Sequence, residues 1–556
     1  MTLGTAAGSA TKATAKSADA MPLPPLPPHW TSLQRAFVTV ARSQPGRPAM
    51  ADSTKVNLSF GETLLRACVL ARFLSSRLGP AKYVGLLLPP TVPSAVANVA
   101  LALLGKMPVN LNYTASQTLV DSSVDQCGIT DVLTSQKVLD RFGIRPKGKL
   151  LFLEEIPKQV SKAEKAWGAF VAKFVPTPVL GMFLPGLKGD NLDQTATVIF
   201  TSGSTDDPKG VVLSNRNVLS NIWQMDRHLH ILPDEVVLGI LPFFHSFGFT
   251  VTIWVTLTLG KMVVYHFSPL DARIIGDLCE KYGVTLIAAT PTFMRTYLKK
   301  CDPKQFSKLV HLLLGAEKVK PEFSAEVREI LGIDTMEGYG CTELSPVVAV
   351  NVRGEVSLPD GRSIDGTRIG TVGRPMPGTE VKTIDPDSGA DLPRGATGVV
   401  LARGPQVMVG YLNRPEATAK VISDGWYNTG DLGYVDDDGF LRITDRLSRF
   451  SKIGGEMVPH GGIETGIQAA VGKTEPCVAV TSLPDPKRGE RLYVIYTDEM
   501  GMTPAEVVQK LQAGGMPRLW VPSADDFIRV DALPVLGQGK IDLKQLKVIA
   551  AAGRPA

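Results

Sequence analysis

Short apolar runs, each stopped by Gly, Pro or Asp, alternate with stretches of helical periodicity from about Trp30 through Ile287. Tyr83-Val-Gly-Leu-Leu-Leu88 ends at Pro89 and Pro90, and Leu309–Leu314 turns at Gly315-Ala316-Glu317. Runs this short with no polar alternation predict strands buried on both faces. With helices between them, they predict layers of parallel α/β structure. From Gly373 to Ile443 the texture changes to short strands separated by Gly, Pro and Asp, as in the hairpin turn Val435-Asp-Asp-Asp-Gly-Phe440, which predicts a small β-rich subdomain. Beyond Arg446, Cys477–Thr481 and Leu492–Tyr496 read as strands of a separate C-terminal α/β lobe.

Two apolar segments break this rhythm. Phe247–Val264 is apolar but interrupted by Thr250, Thr252, Thr256, Thr258 and Lys261, which predicts a buried core segment and not a membrane span. Ala166–Leu187 interleaves Trp167, Phe170, Val171, Phe174, Val175, Met182, Phe183 and Leu184 with Lys173 and three prolines, between Lys165 and Lys188. It reads either as a peripheral membrane contact or as an amphipathic segment facing the core, because periodicity does not say what the apolar face meets.

Composition narrows the class. A chain of 556 residues exceeds one compact core, so at least two domains are expected. A formal net charge of +5 is small for this length and does not argue for nucleic acid as a partner. Six cysteines without CxxC spacing disfavour a zinc site or a disulfide scaffold and suit a reducing compartment. Met1–Ala20 is rich in Ala, Ser and Thr, and five prolines fall between Pro22 and Pro28; residues 1–29 therefore read as a disordered tail running into a polyproline linker. The tail has no apolar signal core and no arginine-rich pattern, so a cytoplasmic location is expected, with attachment to the cytoplasmic membrane face as the variant.

The chemistry starts at Thr197-Val-Ile-Phe-Thr-Ser-Gly-Ser-Thr-Asp-Asp-Pro-Lys-Gly-Val-Val-Leu-Ser214. A strand leads into a loop of small and hydroxyl residues, Thr201, Ser202, Gly203, Ser204 and Thr205. Pro208, Lys209 and Gly210 follow before a second strand from Val211. Small residues let backbone N–H groups approach a polyphosphate, and Lys209 adds a mobile positive charge. A Walker A loop would place Gly-Lys-Ser/Thr at the start of a helix; here the loop joins two strands.

The string Thr-Ser-Gly-Ser-Thr-x-x-Pro-Lys-Gly resembles the phosphate loop of the acyl-adenylate-forming enzymes, and further motifs resemble the same family in the same order. Gly338-Tyr-Gly-Cys-Thr-Glu343 is similar to the family signature. The resemblance implies ATP and Mg²⁺ as cofactors, with Gly338, Tyr339 and Gly340 against adenine, Thr342 at the phosphates, and Glu343 holding the metal with Thr201. Gly315, Ala316 and Glu317 resemble the adenine wall. Trp426-Tyr-Asn-Thr-Gly-Asp431 and Asp445-Arg446 resemble the ribose site, in which Asp431 and Arg446 would meet the hydroxyls. Leu241–Gly248 resembles the wall of the acyl tunnel, with His245 at its junction with the nucleotide and thiol channels. Lys540, in Gly-Gln-Gly-Lys540, would bridge carboxylate and α-phosphate, while Lys452 and Gly454 would serve thioester formation. Ser448 stands at the hinge position where many members carry Asp, Cys341 replaces an aliphatic residue, and Pro459-His-Gly-Gly462 replaces a more helical stretch.

This resemblance implies residues 30–446 as an AMP-binding region and 447–556 as a small mobile lobe. It implies a ligase that adenylates a fatty acid and passes the acyl group to a phosphopantetheine thiol. Three strings, at 241–248, 313–318 and 449–458, resemble the acyl-[acyl-carrier-protein] synthetase half of bifunctional 2-acylglycerophosphoethanolamine acyltransferases, which favours acyl-carrier protein as acceptor over CoA. A lysophospholipid acyltransferase and an amino-acid adenylation module are weaker alternatives. The one His-x₄-Asp spacing of the acyltransferase type, His266 to Asp271, lies inside the adenylation region and reads as accidental.

Overall fold

The computed structural model describes residues 21–201, 208–358, 360–453, 456–473, 476–485, 489–535 and 541–553. The fold is mixed α/β, with a large N-terminal part and a smaller C-terminal lobe, as the apolar pattern predicts. Its main sheet has nine strands. At its centre Thr335–Gly340, His311–Leu314, Leu286–Ala289, Val236–Gly239, Met262–Tyr265 and Pro48–Asp52 lie side by side in parallel. Antiparallel strands close both edges, Asn57–Ser59 on one side and Val347–Val350 with Arg374–Pro375 on the other. A second, parallel sheet orders Met107–Asn110, Tyr83–Leu86, Asp131–Thr134 and Lys149–Phe152. The hairpin Thr195–Thr201/Lys209–Ser214 abuts it, with the Thr197 hydroxyl donating to the Pro108 carbonyl at 2.7 Å.

The helix Asn215–Leu229 shows how polar residues enter this core. It is capped by Ser214, whose hydroxyl accepts from the Asn217 N–H. Three buried amides on one face then reach other segments. Asn217 donates to the carbonyls of Pro405 and Val407, Asn221 exchanges two bonds with Val347, and Gln224 donates to the Pro377 carbonyl. Each pairs loop or edge-strand backbone that would otherwise be desolvated without a partner. Phe247–Val264 is buried as expected, but as a π-helix over Gly248–Val255 followed by a strand. Gly248 permits this turn, since a Cβ there would meet the Pro242 carbonyl oxygen at 2.1 Å.

A five-stranded antiparallel sheet follows, built from Glu380–Ile384, Gly398–Arg403, Trp426–Val435, Ile422–Ser423 and Leu441–Arg446. Asp436 and Phe440 close the hairpin that the Asp-rich turn predicts, the Asp436 N–H donating to the Phe440 carbonyl at 2.9 Å. After a single 3₁₀ turn, Leu447–Arg449, the remaining chain forms its own sheet from Phe450 onward. The two buried clusters of that part draw only on residues from Ile453 to Ala550.

Residues 1–20 lie outside the described residues. Residues 21–29, expected to be a free linker, instead lie on the body. The Trp223 indole N–H donates to the Pro24 carbonyl at 2.9 Å, the Gly378 N–H donates to the Met21 carbonyl at 2.6 Å, and Trp30 packs edge-on against Trp223. Proline removes donors but leaves carbonyls, and a preformed extended chain loses little entropy on docking.

The helices Phe60–Ser75 and Lys162–Lys173 cross where Gly168 faces Val69; a Cβ at 168 would lie 2.9 Å from the Val69 backbone nitrogen. Gly168→Ala is therefore expected to cost about 1–3 kcal/mol by overpacking. Gly46→Ala, at a position with no atom within 4 Å of the added carbon, serves as the control. Denaturant midpoints of the two variants check this, and equal midpoints would show that the crossing is not tight.

Candidate active site

Parallel strands deliver their C-terminal ends to one edge of a sheet, where an open α/β fold binds its ligands. Three expected site segments leave neighbouring central strands at that edge. Leu241–Gly248 follows Val236–Gly239, Gly315-Ala316-Glu317 follows His311–Leu314, and Gly338–Glu343 ends and follows Thr335–Gly340. A fourth, Thr290–Phe293 after Leu286–Ala289, had no sequence signal. Its Thr292 hydroxyl donates to the Glu317 carboxylate at 2.7 Å and orients it.

Gly315 lies against Gly338, a Cβ at 315 reaching 3.2 Å from the Gly338 carbonyl oxygen. Ala316 takes a left-handed conformation (φ 66°) at the turn. Gly340 is obligatory for a different reason: a side chain there would collide with the Pro346 carbonyl oxygen, at 1.8 Å from the ideal Cβ. The strand can then reverse at Cys341 into the short turn Thr342–Leu344.

Asp431 is the best-defined element. The ladder between Gly398–Arg403 and Trp426–Val435 slips between the pairs Leu401–Asn428 and Val399–Leu432, so that Thr429-Gly430-Asp431 bulges out of register. Gly430 supplies the positive φ of 70°, the Asn428 side chain accepts from the Gly430 N–H, and the Thr429 hydroxyl accepts from the Asp431 N–H. The bulge aims the Asp431 carboxylate at Tyr339, whose hydroxyl donates to it. Arg446, directly across the next ladder, places its Nε 3.2 Å from the carboxylate. Asp431 is 5 % exposed, and this burial raises its pKa against the opposing pull of the Arg446 charge and the Tyr339 hydroxyl.

Glu343 sits beside this pair. It is buried, and its carboxylate accepts from the Tyr411 hydroxyl at 2.9 Å, while Lys209 lies over the Tyr411 ring at 5.0 Å. Tyr411 reaches this place because Gly410–Tyr411 pairs with Val211–Val212 of the loop hairpin. Tyr411 and Tyr427 are residues that sequence reasoning missed; burial raises both phenols, so they stay protonated and can donate. Cys341 shares this pocket, and burial among Glu343 and Asp431 holds its thiol neutral.

The Thr342 hydroxyl accepts from Ser246 at 3.3 Å, which joins the signature turn to the Leu241–Gly248 segment. His245 is half-buried and tilts against Phe244. The Thr201 hydroxyl lies 3.5 Å from the Lys209 carbonyl, where the two strands of the loop meet. Ser202, Gly203, Ser204, Thr205, Gly454 and Lys540 lie outside the described residues. Lys452 is on the strand Phe450–Ile453, and its side chain, like that of Ser448, is outside what is described. Pro459-His-Gly-Gly462 departs less from helix than its sequence implies, since the helix His460–Val471 begins there. Gly461 leaves room for Asp445, whose carboxylate accepts from the Gly461 N–H at 2.8 Å. His266 and Asp271 form a structural contact: the buried imidazole bonds Asp271 at 3.0 Å and Ser53 at 2.7 Å.

Among the described residues no group of three or more His, Cys, Asp or Glu could hold a metal by itself. Glu343, a single carboxylate, fits a Mg²⁺ ion that draws its other ligands from nucleotide phosphates and water.

Glu337, also unforeseen, ties the adenine-wall segment to the signature strand by accepting from the Val319 N–H at 3.1 Å. Burial pushes its carboxyl up to about 7, while the Val319 N–H, Lys318 and Arg442 oppose the shift. An unfolded Glu titrates near 4.3, so between about pH 4 and 7 the native state holds a proton that the unfolded chain has lost. Stability is therefore expected to fall as pH rises through that window. Glu337→Gln keeps an acceptor for Val319 and is expected to flatten this slope; unfolding midpoints from pH 5 to 8 check it, and parallel slopes in the two proteins would refute it.

A family model described as AMP-binding enzyme matches residues 37–412. The 4-coumarate–CoA ligase 5 of Oryza sativa subsp. japonica is 29 % identical over 519 residues, covering 91 % of this chain and 92 % of that protein. The long-chain-fatty-acid–CoA ligase of Escherichia coli O6:H1 is 28 % identical over 557 residues, covering 94 % and 95 %. Among solved structures, the o-succinylbenzoate CoA synthetase of Bacillus subtilis in complex with its acyl-adenylate intermediate superimposes with a TM-score of 0.76 at 22 % identity, over 94 % of this chain and 99 % of that one. The ATP-bound MatB of Rhodopseudomonas palustris gives 0.75 at 23 % identity, over 94 % and 100 %. At those identities the two structures speak for the fold alone, whereas the family model spans more than half of the sequence, and the chain belongs to the AMP-binding enzyme family.

Proposed function

We propose that the chain is an ATP-dependent acid–thiol ligase acting through an acyl-adenylate, with a fatty acid as substrate and CoA as thiol acceptor. The observation that carries this reading is the buried Asp431 carboxylate, set by a bulge between Tyr339 and Arg446 beside Glu343. A carboxylate held this way can accept from both hydroxyls of a ribose. Tyr339 and the glycine-lined Gly315–Gly338 contact offer a flat surface for adenine. The polyphosphate would run toward Thr342, Thr201 and the hairpin tip, with Lys209 beside it. Mg²⁺ held by Glu343 supplies charge neutralisation at the phosphates when bound.

The chemistry would proceed in two displacements. A carboxylate oxygen of the acid attacks the α-phosphorus and pyrophosphate leaves; the thiol sulfur then attacks the acyl carbon and AMP leaves. Lys540 is assigned to charge stabilisation in the first step and Lys452 to the second, both by their motifs. CoA is preferred because the two ligases that the chain matches nearly end to end are named for it. Acyl-carrier protein remains the second reading, on the strings at 241–248, 313–318 and 449–458.

Asp431→Ala is expected to weaken nucleotide binding by about 1.5–3 kcal/mol, the loss of a charged hydrogen bond. Calorimetric titration with ATP reads this directly, and an unchanged Kd would remove Asp431 from the ribose site. The acceptor is decided by parallel reactions with ATP, Mg²⁺ and mixed acids, one containing CoA and the other holo acyl-carrier protein, each followed by intact mass. Fatty acyl-CoA is the expected product. Acylation of the carrier protein alone would move the assignment to a carrier-protein synthetase, and formation of aromatic thioesters alone would replace the fatty acid.

A further inference from the structure

The segment Ala166–Leu187 has two apolar faces, and only one of them is used by the core. Gly168, Val171 and Ala172 of the helix Lys162–Lys173 pack inward, as do Val175, Leu180, Leu184 and Leu187 of the turns that follow. The other face is open. Met182 is 83 % exposed, Phe174 72 % and Phe170 50 %, with Val179 and Phe183 beside them. Phe170 meets both other phenylalanines, stacking on Phe174 with centroids 6.4 Å apart and meeting Phe183 edge-on at 6.3 Å. Together these side chains leave on the order of 500 Å² of apolar surface in one place, near the upper end for a monomer.

This surface is held stiffly. Arg42 donates to the Val171 carbonyl at 2.9 Å and to the Thr177 hydroxyl at 3.1 Å, closing the helix C-terminus and fixing the turn that follows. On the helix, Lys162, Ala166, Phe170, Lys173 and Phe174 share the side opposite Gly168 and Ala172, and all five are exposed. Lys165 and Lys188 are exposed as well. Exposed aromatic and Met side chains that share a helix side with Lys162 and Lys173 match the boundary of an anionic bilayer, where the rings enter the headgroup layer and the ammonium groups meet lipid phosphates.

We infer that the face formed by Phe170, Phe174, Val179, Met182 and Phe183, with Lys162 and Lys173 on the same side of the helix and Lys188 exposed after the turns, docks the protein on an anionic lipid surface. Insertion is peripheral, since among the described residues no helix is long and apolar enough to cross a membrane. A fatty acid concentrates in bilayers, so such docking would bring the enzyme to its acid; in this benefit alone the inference rests on the proposed function.

Co-sedimentation of the full chain with phosphatidylcholine vesicles, with and without phosphatidylglycerol, tests it without turnover. Binding is expected to the anionic vesicles and to be several-fold weaker on phosphatidylcholine alone. Phe174→Ser combined with Met182→Ser is expected to lower the bound fraction about tenfold at an unchanged unfolding midpoint, because both residues are exposed. Lys173→Glu is expected to reduce binding to anionic vesicles only. Undiminished pelleting of the double variant, no pelleting of the parent chain, or a parent dimer that the double variant dissolves would each overturn the inference, the last by making a second copy the occupant.

Discussion

The parallel pairing of Val236–Gly239, Leu286–Ala289, His311–Leu314 and Thr335–Gly340 is the constraint on which the site depends. Parallel register forces every strand to end at the same edge, and a crossover must carry the chain back before the next one begins. Segments far apart in sequence thus leave the sheet side by side. The site is then assembled by backbone closeness more than by side-chain reach: Gly340 lies against Pro346 where any side chain would force the two apart, and Gly315 lies close against Gly338. The side chains that meet there, Thr342 with Ser246 and Thr292 with Glu317, are placed by that backbone.

The antiparallel sheet contributes Asp431 by the opposite device, a local breach of register. Regular pairing through Thr429-Gly430-Asp431 would continue the ladder with Gly398–Arg403, while the ladder with Leu441–Arg446 is kept at Asp431. The bulge instead spends Asn428 and Thr429 side chains on the turn and frees the carboxylate to face inward. Its burial is tolerated because Arg446 arrives opposite it on the next strand, largely exposed. A buried carboxylate with one solvent-facing cationic partner keeps capacity for further donors.

Much of this was legible because motif residues carry local conformational demands. The apolar run Leu309–Leu314 placed a central strand, Tyr83–Leu88 placed one of the second sheet, and Gly and Asp spacing gave the hairpin at Asp436–Phe440, whereas the Thr-Gly-Asp string pointed to Asp431 without revealing the bulge that presents it. Contacts made by pairing across long sequence separations left no local trace. Tyr411 meets Glu343 only because Gly410–Tyr411 joins the Lys209–Ser214 strand. The polyproline segment reads as a linker because nothing in its own composition reveals Trp223 as a donor. Gly461 and Gly462 read as helix breakers, yet the first turn of a helix already lacks internal partners for its N–H groups, and a glycine there admits a carboxylate from outside.

That last contact bears on how the C-terminal part is held. Asp445, next to last in the strand Leu441–Arg446, accepts from the Gly461 N–H at the start of the helix His460–Val471 and lies 3.9 Å from Arg449. Arg449 in turn pairs with Glu464 on the same helix. The 3₁₀ turn Leu447–Arg449 is therefore spanned on both sides by charge-assisted contacts, while no apolar cluster among the described residues crosses it. A hydrophobic interface resists rotation through its whole area, because turning exposes surface in proportion. A joint made of a carboxylate at a helix N-terminus and one guanidinium can exchange its partners for water at modest net cost. The sequence around Ser448 thus specifies a junction at which, among the described residues, few polar contacts and no shared apolar cluster join the two sides.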